Sequence, residues 1–295
     1  MISANCELIY NEYITKDIFQ LTFVWQASNI EECRNFPVPK AGQFYMIKYG
    51  RSSVFLARPI SLYNWMPKSE DRDFIRRKAR NGRSPYQRYL TGKFLESDTI
   101  TFLIAKRGRG TLELAEMRSS EWAELTGPLG NSWTNFLPPV KEGKKQIALV
   151  GGGIGIAPLS ALLFENPGYN FHLYAGFKKG LKREEKLKLL GPSMYEAGNT
   201  LIAAENGKDG EKGLITDFLE PEKYDAVCAC GPQPMLKVIA EKCKTARVPC
   251  YISMERRMAC GTGACLGCTV ETINGNQRCC ADGPIFKAEE VIFNE

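Results

Sequence analysis

The sequence has a single histidine among 295 residues, and it has no long apolar run. With His172 alone, a histidine-based catalytic triad elsewhere in the chain is excluded. No window approaches the roughly 20 apolar residues that a membrane-spanning helix needs, so we expect no membrane association. The first residues lack a basic flank, an apolar signal segment and a small-residue cleavage pattern. We therefore expect a protein that is not exported and that works in the cytoplasm.

A large excess of charge of one sign is also absent. The formal net charge is +6, and part of it lies in the basic segment from Arg76 to Arg83, which is interleaved with Phe74, Tyr86 and Tyr89. Such a segment can contact nucleic acid, but a solvated basic loop is the more common explanation. Because the excess elsewhere is thin, we expect no nucleic-acid partner.

The chain divides into three stretches of different character. Residues 1–140 contain short runs rich in β-branched and aromatic residues, which predict a small antiparallel β-barrel or sandwich. The pattern lapses around residues 65–95, where we expect an insertion or a binding loop. Residues 141–247 alternate strand and helix patterns and predict a doubly wound parallel α/β sheet. Residues 248–295 form a small cysteine-rich unit, so the expected fold class is α+β multidomain.

Cysteine is plentiful and clustered, with five of eleven between residues 260 and 280. Their opening C-x4-C-x2-C spacing is that of plant-type 2Fe–2S sites, and Gly261, Gly263 and Gly267 allow the tight turns that a cluster loop needs. Zinc usually takes paired C-x2-C knuckles, often with histidine, and a reducing cytosol disfavours disulfides. The spacing favours an iron–sulfur cluster, with zinc and free thiols as alternatives. The five cysteines are Cys260, Cys265, Cys268, Cys279 and Cys280.

Two glycine-bearing segments in the α/β stretch indicate a dinucleotide site. Residues 151–158, "GGGIGIAP", follow a predicted strand and open a helix, where backbone N–H groups can approach phosphates. This is not the G-x-G-x-x-G fingerprint, and alone it can mean only tight packing. The Cys-Gly-Pro of residues 230–232 ends a second strand, and ligands of open α/β sheets bind at the carboxyl ends of strands. Together the two segments predict a bound dinucleotide.

The barrel stretch carries two basic segments. Arg58 stands beside an expected proline-fixed turn at Pro59 in "ARPISLYN", where the arginine can hold a phosphate and Ser61 can donate a hydrogen bond to a cofactor. A strand end with a surface arginine explains the same residues equally well. The segment from Lys106 to Thr111 is a glycine-rich, basic helix start, which is in principle an anion site.

These segments, in this order, resemble the ferredoxin–NADP reductase superfamily. The C-terminal "MACGTGACLGC" with "CADGPIF" is closer still to the electron-transfer subunits of class 1B dihydroorotate dehydrogenase, and the resemblance covers nearly the whole chain. It implies an NAD(P)H-linked oxidoreductase with FAD on the barrel, NAD(H) as substrate and a 2Fe–2S cluster. It also implies an FMN-containing catalytic subunit as partner, in a heterotetramer of pyrimidine biosynthesis. Since the cofactors carry the chemistry, no catalytic side chain is expected.

The resemblance also assigns the site residues. Cys280 is preferred to Cys279 because the family's last ligand immediately precedes an x-Asp-Gly-Pro stretch, here "ADGP". The implied cluster ligands are Cys260, Cys265, Cys268 and Cys280. The implied FAD contacts are Arg58, Pro59, Ile60, Ser61, Leu103, Ile104, Ala105, Gly110 and Thr111. The nicotinamide is expected near Gly151, Gly152, Gly153, Gly155, Cys230, Gly231 and Pro232.

Two departures from the family leave the partner and the flavin packing open. The stretch from Trp65 to Leu95 is longer than expected, and Ile104-Ala105 stands where the family tends to have Tyr-Arg. One alternative is a related reductase subunit with another acceptor, as in sulfide dehydrogenase or NADH-dependent ferredoxin–NADP oxidoreductase. That relative usually lacks the first cysteine, which this chain keeps as Cys260. A cluster-based redox sensor is the other alternative, although the intact nucleotide segment argues against it.

The sequence leaves the choice between NADH and NADPH open. Lys178, Lys179 and Arg183 follow the predicted strand "NFHLYAGF" and can meet a 2′-phosphate or face solvent. Glu205 can instead accept a ribose hydroxyl. The resemblance favours NADH.

Overall fold

The structure is a computed structural model, and it describes residues 2–25, 37–66, 99–140, 143–165, 168–190 and 199–293. From residue 67 onward, the insertion predicted around residues 65–95 and its basic segment lie outside these ranges. Among the described residues, no helix has both the length and the apolarity to cross a membrane.

The N-terminal part is a closed barrel of six antiparallel strands, as the sequence predicts. Aromatic side chains that alternate toward the inside fill it: Phe19, Phe23, Tyr45 and Phe102 are all buried. A short helix, α1 (Arg109–Ala115), follows the fifth barrel strand in chain order and packs Leu114 against this core. In the order in which they pair around the barrel, the strands are β1 (Ile2–Tyr13), β2 (Ile18–Trp25), β5 (Thr99–Ala105), β4 (Arg58–Met66), β3 (Phe44–Tyr49) and β6 (Trp122–Leu129).

The second part is a seven-stranded sheet whose first six strands run parallel. Its central strands are apolar over residues 147–152 and 226–230, which suits strands covered on both faces. Within the described ranges, four helices belong to this part: α2 (Ala157–Ser160), α3 (Leu162–Glu165), α4 (Arg183–Leu190) and α5 (Gln233–Ala246). In sheet order, the strands are β10 (Glu211–Lys212), β9 (Thr200–Ala204), β8 (Tyr169–Phe177), β7 (Lys145–Gly152), β11 (Ala226–Cys230), β12 (Cys250–Ser253) and β15 (Ile285–Lys287).

The cysteine-rich segment begins and ends on neighbouring strands of this sheet. Strand β12 leads into the cysteines, and β15 returns antiparallel beside it. Between them lies a small hairpin of β13 (Thr269–Thr272) and β14 (Gly275–Arg278). The loop with the first three cysteines therefore projects from the carboxyl end of β12, where the ligands of parallel sheets bind.

Asn131 joins the end of the barrel to the cysteine-rich segment. Its side-chain amide donates to the carbonyl of Ile285 at 2.8 Å and accepts from the N–H of Ile285 at 3.0 Å. Its backbone N–H donates to the carbonyl of Gly283 at 2.7 Å. Asn131, which lies shortly after the end of β6, thus fixes the strand on which the cysteine-rich segment ends.

The barrel and the sheet also share a buried hydrophobic contact. Trp133 is fully buried, and its indole N–H donates to the carbonyl of Pro158 in α2 at 2.8 Å. Tyr63 of the barrel donates its hydroxyl to the carbonyl of Leu189 in α4 at 3.1 Å. These bonds hold the barrel on the helical layer of the sheet.

We expect Trp133→Phe to lower the free energy of unfolding by about 1–3 kcal/mol, because it leaves the buried carbonyl of Pro158 without its donor. Trp122→Phe is the matched control, since Trp122 is exposed on the barrel surface and its loss should cost less than about 0.5 kcal/mol. Chemical denaturation of both variants measures the difference. Equal stability of the two would contradict the role given to the indole bond.

Candidate functional site

The Arg-Pro-x-Ser segment lies in the first half of strand β4 rather than in a turn. Arg58 begins the strand, and its side chain crosses Gly110 in α1, where an added Cβ would lie 2.8 Å from the arginine Nε. The hydroxyl oxygen of Thr111 accepts hydrogen bonds from the backbone N–H groups of Arg107 and Gly108. The fold therefore brings together the two basic segments of the barrel, which are far apart in the sequence.

The predicted contacts on β5 differ in exposure. Leu103 and Ile104 are buried, whereas Ala105 at the strand end is half-buried. Leu103 packs in the hydrophobic cluster shared with the sheet, and Ile104 packs in the barrel core. Of these three residues, Ala105 is thus the most open to a ligand at the rim of the barrel.

The two glycine-bearing strand ends of the sheet meet. Cys230 lies opposite Gly151 in the register of β11 and β7. An added Cβ on Gly155 would lie 2.2 Å from the carbonyl oxygen of Cys230, and one on Gly152 would lie 2.7 Å from Cδ of Pro232. Gly153 has a φ of +57° and nothing within 4 Å of its Cβ position. The glycines thus permit both a close crossing of the backbone and an open turn at the carboxyl edge.

The residues that bear on the choice between NADH and NADPH lie on adjacent loops. Lys178 and Glu205 are both exposed, and the N–H of Glu205 donates to the carbonyl of Phe177 at 3.1 Å. Asn206 accepts N–H groups from both loops, from Gly180 at 3.1 Å and from Lys208 at 3.2 Å. The structure thus places a lysine and a carboxylate at the same edge of the sheet.

Backbone N–H groups in the cysteine loop point at sulfur. Cys260 Sγ accepts from the N–H of Thr262 at 3.4 Å and from that of Cys265 at 3.5 Å, and these bonds lower the pKa of Cys260 to about 6. Cys280 Sγ accepts from the N–H of Gly263 at 3.0 Å. Gly261 and Gly263 have φ of +71° and +84°, a backbone region that favours glycine. The loop folds so that its N–H groups face the thiols.

The thiols also neighbour one another in two pairs. Cys260 lies beside Cys265 at the surface, and Cys268 lies beside Cys280 in the interior. Burial and the adjacent thiol of Cys268 raise the pKa of Cys280 to about 12. Among the described residues, no three His, Cys, Asp or Glu side chains converge on one ion position. Two thiol pairs fit a 2Fe–2S cluster better than a single ion, because each of its irons takes two cysteines.

Cys279 and Cys280 point to different surroundings. The thiol of Cys279 is fully buried and donates to the carbonyl of Met254 at 3.0 Å, away from the loop. The N–H of Cys280 instead donates to Cys268 Sγ at 3.4 Å. Cys280 thus shares contacts with the loop thiols, and Cys279 packs beneath the loop.

The cysteine loop rests on the barrel next to the Arg-Pro segment. An added Cβ on Gly261 would lie 2.8 Å from Cγ of Met46. Met46 on β3 lies directly opposite Pro59 on β4. A single barrel residue therefore separates the cysteine loop from the predicted flavin segment.

Sequence reasoning missed Glu255, which lies two residues beyond the end of β12. Desolvation by the surrounding protein raises the pKa of its carboxyl, while the charge of Arg107 opposes the shift. The only local signal was its place between a predicted sheet and the cysteines, and no residue periodicity marks such a position.

Comparison with known proteins decides the family. The model of the iron–sulfur cluster binding domain of dihydroorotate dehydrogenase B matches residues 255–292. A relative named dihydroorotate dehydrogenase B (NAD(+)), electron transfer subunit, from Caldanaerobacter subterraneus subsp. tengcongensis is 34% identical over 292 residues, 97% of each chain. The relative of the same name from Clostridium acetobutylicum is 34% identical over 256 residues, 87% of each chain.

The chain belongs to the family of dihydroorotate dehydrogenase B electron transfer subunits. The resemblance drawn from the sequence is confirmed. Among solved structures, an NADH-dependent reduced ferredoxin-NADP oxidoreductase has a TM-score of 0.69 at 22% identity, covering 97% of this chain and 89% of the other. A ferredoxin reductase of carbazole 1,9a-dioxygenase has a TM-score of 0.56 at 17% identity, covering 85% and 68%. These two structures show that the dihydroorotate dehydrogenase B electron transfer subunit family shares its fold with other reductases.

We expect Cys280→Ser to abolish the visible absorption and the iron content of the cluster, and Cys279→Ser to retain both. The reason is that Cys280 shares contacts with the loop thiols, whereas Cys279 bonds to Met254. Iron analysis and absorption spectra of the two purified variants provide the measurement. Iron retained in Cys280→Ser, or lost in Cys279→Ser, would reverse the assignment of the fourth ligand.

Proposed function

We propose that this chain takes electrons from NADH, holds FAD at the rim of its barrel and passes the electrons through a 2Fe–2S cluster to a catalytic partner subunit. The partner is an FMN-containing dihydroorotate dehydrogenase chain, and two copies of each subunit form a heterotetramer. The cluster ligands are Cys260, Cys265, Cys268 and Cys280. The relatives' names, which specify an NAD(+)-linked electron transfer subunit, support the donor and the kind of partner.

The observation that carries this proposal is the contact of the cysteine loop with the barrel. Gly261 packs on Met46, and Met46 pairs with Pro59 of the proposed flavin segment. The glycine turn at Gly151 and the strand end at Cys230 open at the carboxyl edge of the sheet from which the cysteine loop projects. A donor site, a flavin site and a cluster site are therefore contiguous within one chain.

The side chains bind and orient, and the cofactors supply the electron chemistry. A flavin held at this site would supply the exchange between two-electron and one-electron chemistry, which the side chains of this chain do not provide. Arg58 places a fixed cation beside the start of α1, where it can hold a phosphate. The glycines at 151–155 let phosphates approach the backbone closely. The N–H groups of Thr262, Gly263 and Cys265 donate to the sulfurs of Cys260 and Cys280, where they would tune the potential of a bound cluster.

Titration of the purified protein with NADH, without oxygen, tests the donor and the flavin. We expect flavin and cluster absorption bands in the oxidised protein, and we expect NADH to bleach them. NADPH is the comparison that decides between Lys178 and Glu205 as the residue facing the ribose. A protein without flavin bands, or one whose bands do not respond to either nucleotide, would defeat the proposed function.

Reconstitution with the catalytic chain tests the partner. We expect an FMN-bearing dihydroorotate dehydrogenase subunit to co-purify with this chain and the complex to reduce NAD⁺ with dihydroorotate. The Cys280→Ser variant is the control, because it should still form the complex but interrupt electron transfer. A chain that oxidises NADH, binds no such subunit and reduces a ferredoxin instead would be a reductase with another acceptor.

A further inference from the structure

Cys280 lies in a tight turn that follows β14. The backbone N–H groups of residues 281–283 all donate to the carbonyl of Arg278, at distances between 2.8 and 3.2 Å. The turn therefore folds around one carbonyl group, and Arg278 and Asp282 stand two positions before and after Cys280. The side-chain amide of Asn131 donates to the carbonyl of Asp282 at 3.1 Å, which fixes the end of the turn on the barrel.

A bidentate ion pair closes this turn. Nε and Nη2 of Arg278 donate to the two carboxylate oxygens of Asp282, each at 2.9 Å. The backbone N–H of Arg278 donates to the same carboxylate at 2.7 Å. Two parallel bonds of this kind fix the orientation of a guanidinium as well as its distance. Nη1 is the guanidinium nitrogen outside the pair, and its direction is therefore set by the other two.

Nη1 of Arg278 lies next to the cysteine loop at Gly263. A Cβ added to Gly263 would lie 3.2 Å from this nitrogen. The N–H of Gly263 donates to Cys280 Sγ at 3.0 Å, so the guanidinium and the sulfur lie beside the same residue. Asp282 first, and then the charges of Cys280 and Cys268, favour the charged form of Arg278 and raise its pKa. The ion pair thus presents its cation to the two inner thiols.

We propose that the Arg278–Asp282 pair sets the reduction potential of the 2Fe–2S cluster: the guanidinium favours the reduced state, and the carboxylate limits that effect. This inference rests on the proposed function, because it takes Cys268 and Cys280 as cluster ligands. An electron that arrives at a four-cysteine site adds one negative charge to it, and a nearby cation stabilises that charge. The carboxylate bound to the cation opposes this stabilisation and keeps it small.

Two opposed charges suit a site that must both accept and release an electron. A cation alone would hold the electron at the site, and a carboxylate alone would keep the electron away from it. A relay needs a potential between that of its donor and that of its acceptor. The bidentate bonds hold both charges of the pair in a fixed arrangement, so the balance between them does not depend on mobile side chains.

The electrostatic role and a role in closing the turn predict different results. Replacement of either partner breaks the same bidentate bonds, so a pair that only closed the turn would give changes in the same direction. A pair that acts through its charges gives opposite changes. Loss of the guanidinium charge should disfavour the reduced cluster, and loss of the carboxylate charge should favour it.

Anaerobic redox titration of the holoprotein, followed by the electron paramagnetic resonance signal of the reduced cluster, measures the potential without any turnover. At a fixed applied potential, we expect Arg278→Gln to lower the ratio of reduced to oxidised cluster by about three- to tenfold, and Asp282→Asn to raise it by a similar factor. A tenfold change corresponds to about 59 mV for a one-electron couple. The double variant loses both charges and should lie within about twofold of the unmodified protein.

Three controls separate charge from structure. Arg278→Lys keeps the charge but not the bidentate bonds, and its ratio should stay within about twofold of that of the unmodified protein. Lys223→Gln removes the cation of the exposed Lys223–Glu220 pair, which precedes β11 at the edge of the sheet opposite the cysteine loop, and should change nothing. The shift in Arg278→Gln should shrink between about 0.05 and 0.5 M salt, because ions screen a partly exposed charge.

An unchanged potential in Arg278→Gln, or shifts of the same sign in Arg278→Gln and Asp282→Asn, would overturn this inference. Loss of iron from Arg278→Gln would show that the pair holds the turn together, and would overturn it as well. Neither result touches the proposed function, which the unmodified protein tests through its response to NADH. An unmodified protein without a cluster signal would defeat both.

Discussion

The antiparallel pairing of β12 with β15 is the constraint on which the arrangement of the sites depends. It makes the cysteine-rich segment leave and rejoin one edge of the sheet, so the loop with Cys260 is anchored on both sides. Asn131 bonds to Ile285 on the returning strand and ties the barrel to the same junction. The small hairpin of β13 and β14 is further held by backbone hydrogen bonds to residues 290–292, since two-stranded units are marginal alone.

This junction explains how one chain can hold its proposed sites next to one another without a large interface for each. Parallel sheets direct ligands to the carboxyl ends of their strands, and here β7, β11 and β12 all end at one edge. The barrel lies against this edge through Met46, on which Gly261 packs. An added Cβ on Gly261 would overlap Met46, so the close approach of the cysteine loop to the barrel requires a glycine there.

Local patterns in the sequence predicted the elements but not their long-range contacts. The spacing of Cys260, Cys265 and Cys268, the glycines at 151–155 and the alternating barrel strands are each signals within a short window, and the structure bears out the barrel and the parallel sheet. The pairing of β12 with β15 joins residues 32 to 36 positions apart, and no periodicity encodes it. Glu255 escaped notice for the same reason, because its electrostatic neighbours Arg107, Cys230 and Cys279 come from three separate segments.

The cysteines show how backbone geometry, rather than residue type, sets the chemistry of this chain. Cys230 sits in a fully buried strand, where desolvation raises the pKa of its thiol and keeps it neutral. Cys260 lies in a loop whose glycines turn two N–H groups toward its sulfur, and its pKa falls to about 6. Metal binding requires the thiolate, so these two N–H groups lower the cost of deprotonating Cys260, whereas burial beside the Cys268 thiol raises that cost for Cys280. The strand raises that cost for Cys230. The same residue type is therefore readily deprotonated in one place and remains a neutral thiol in the other.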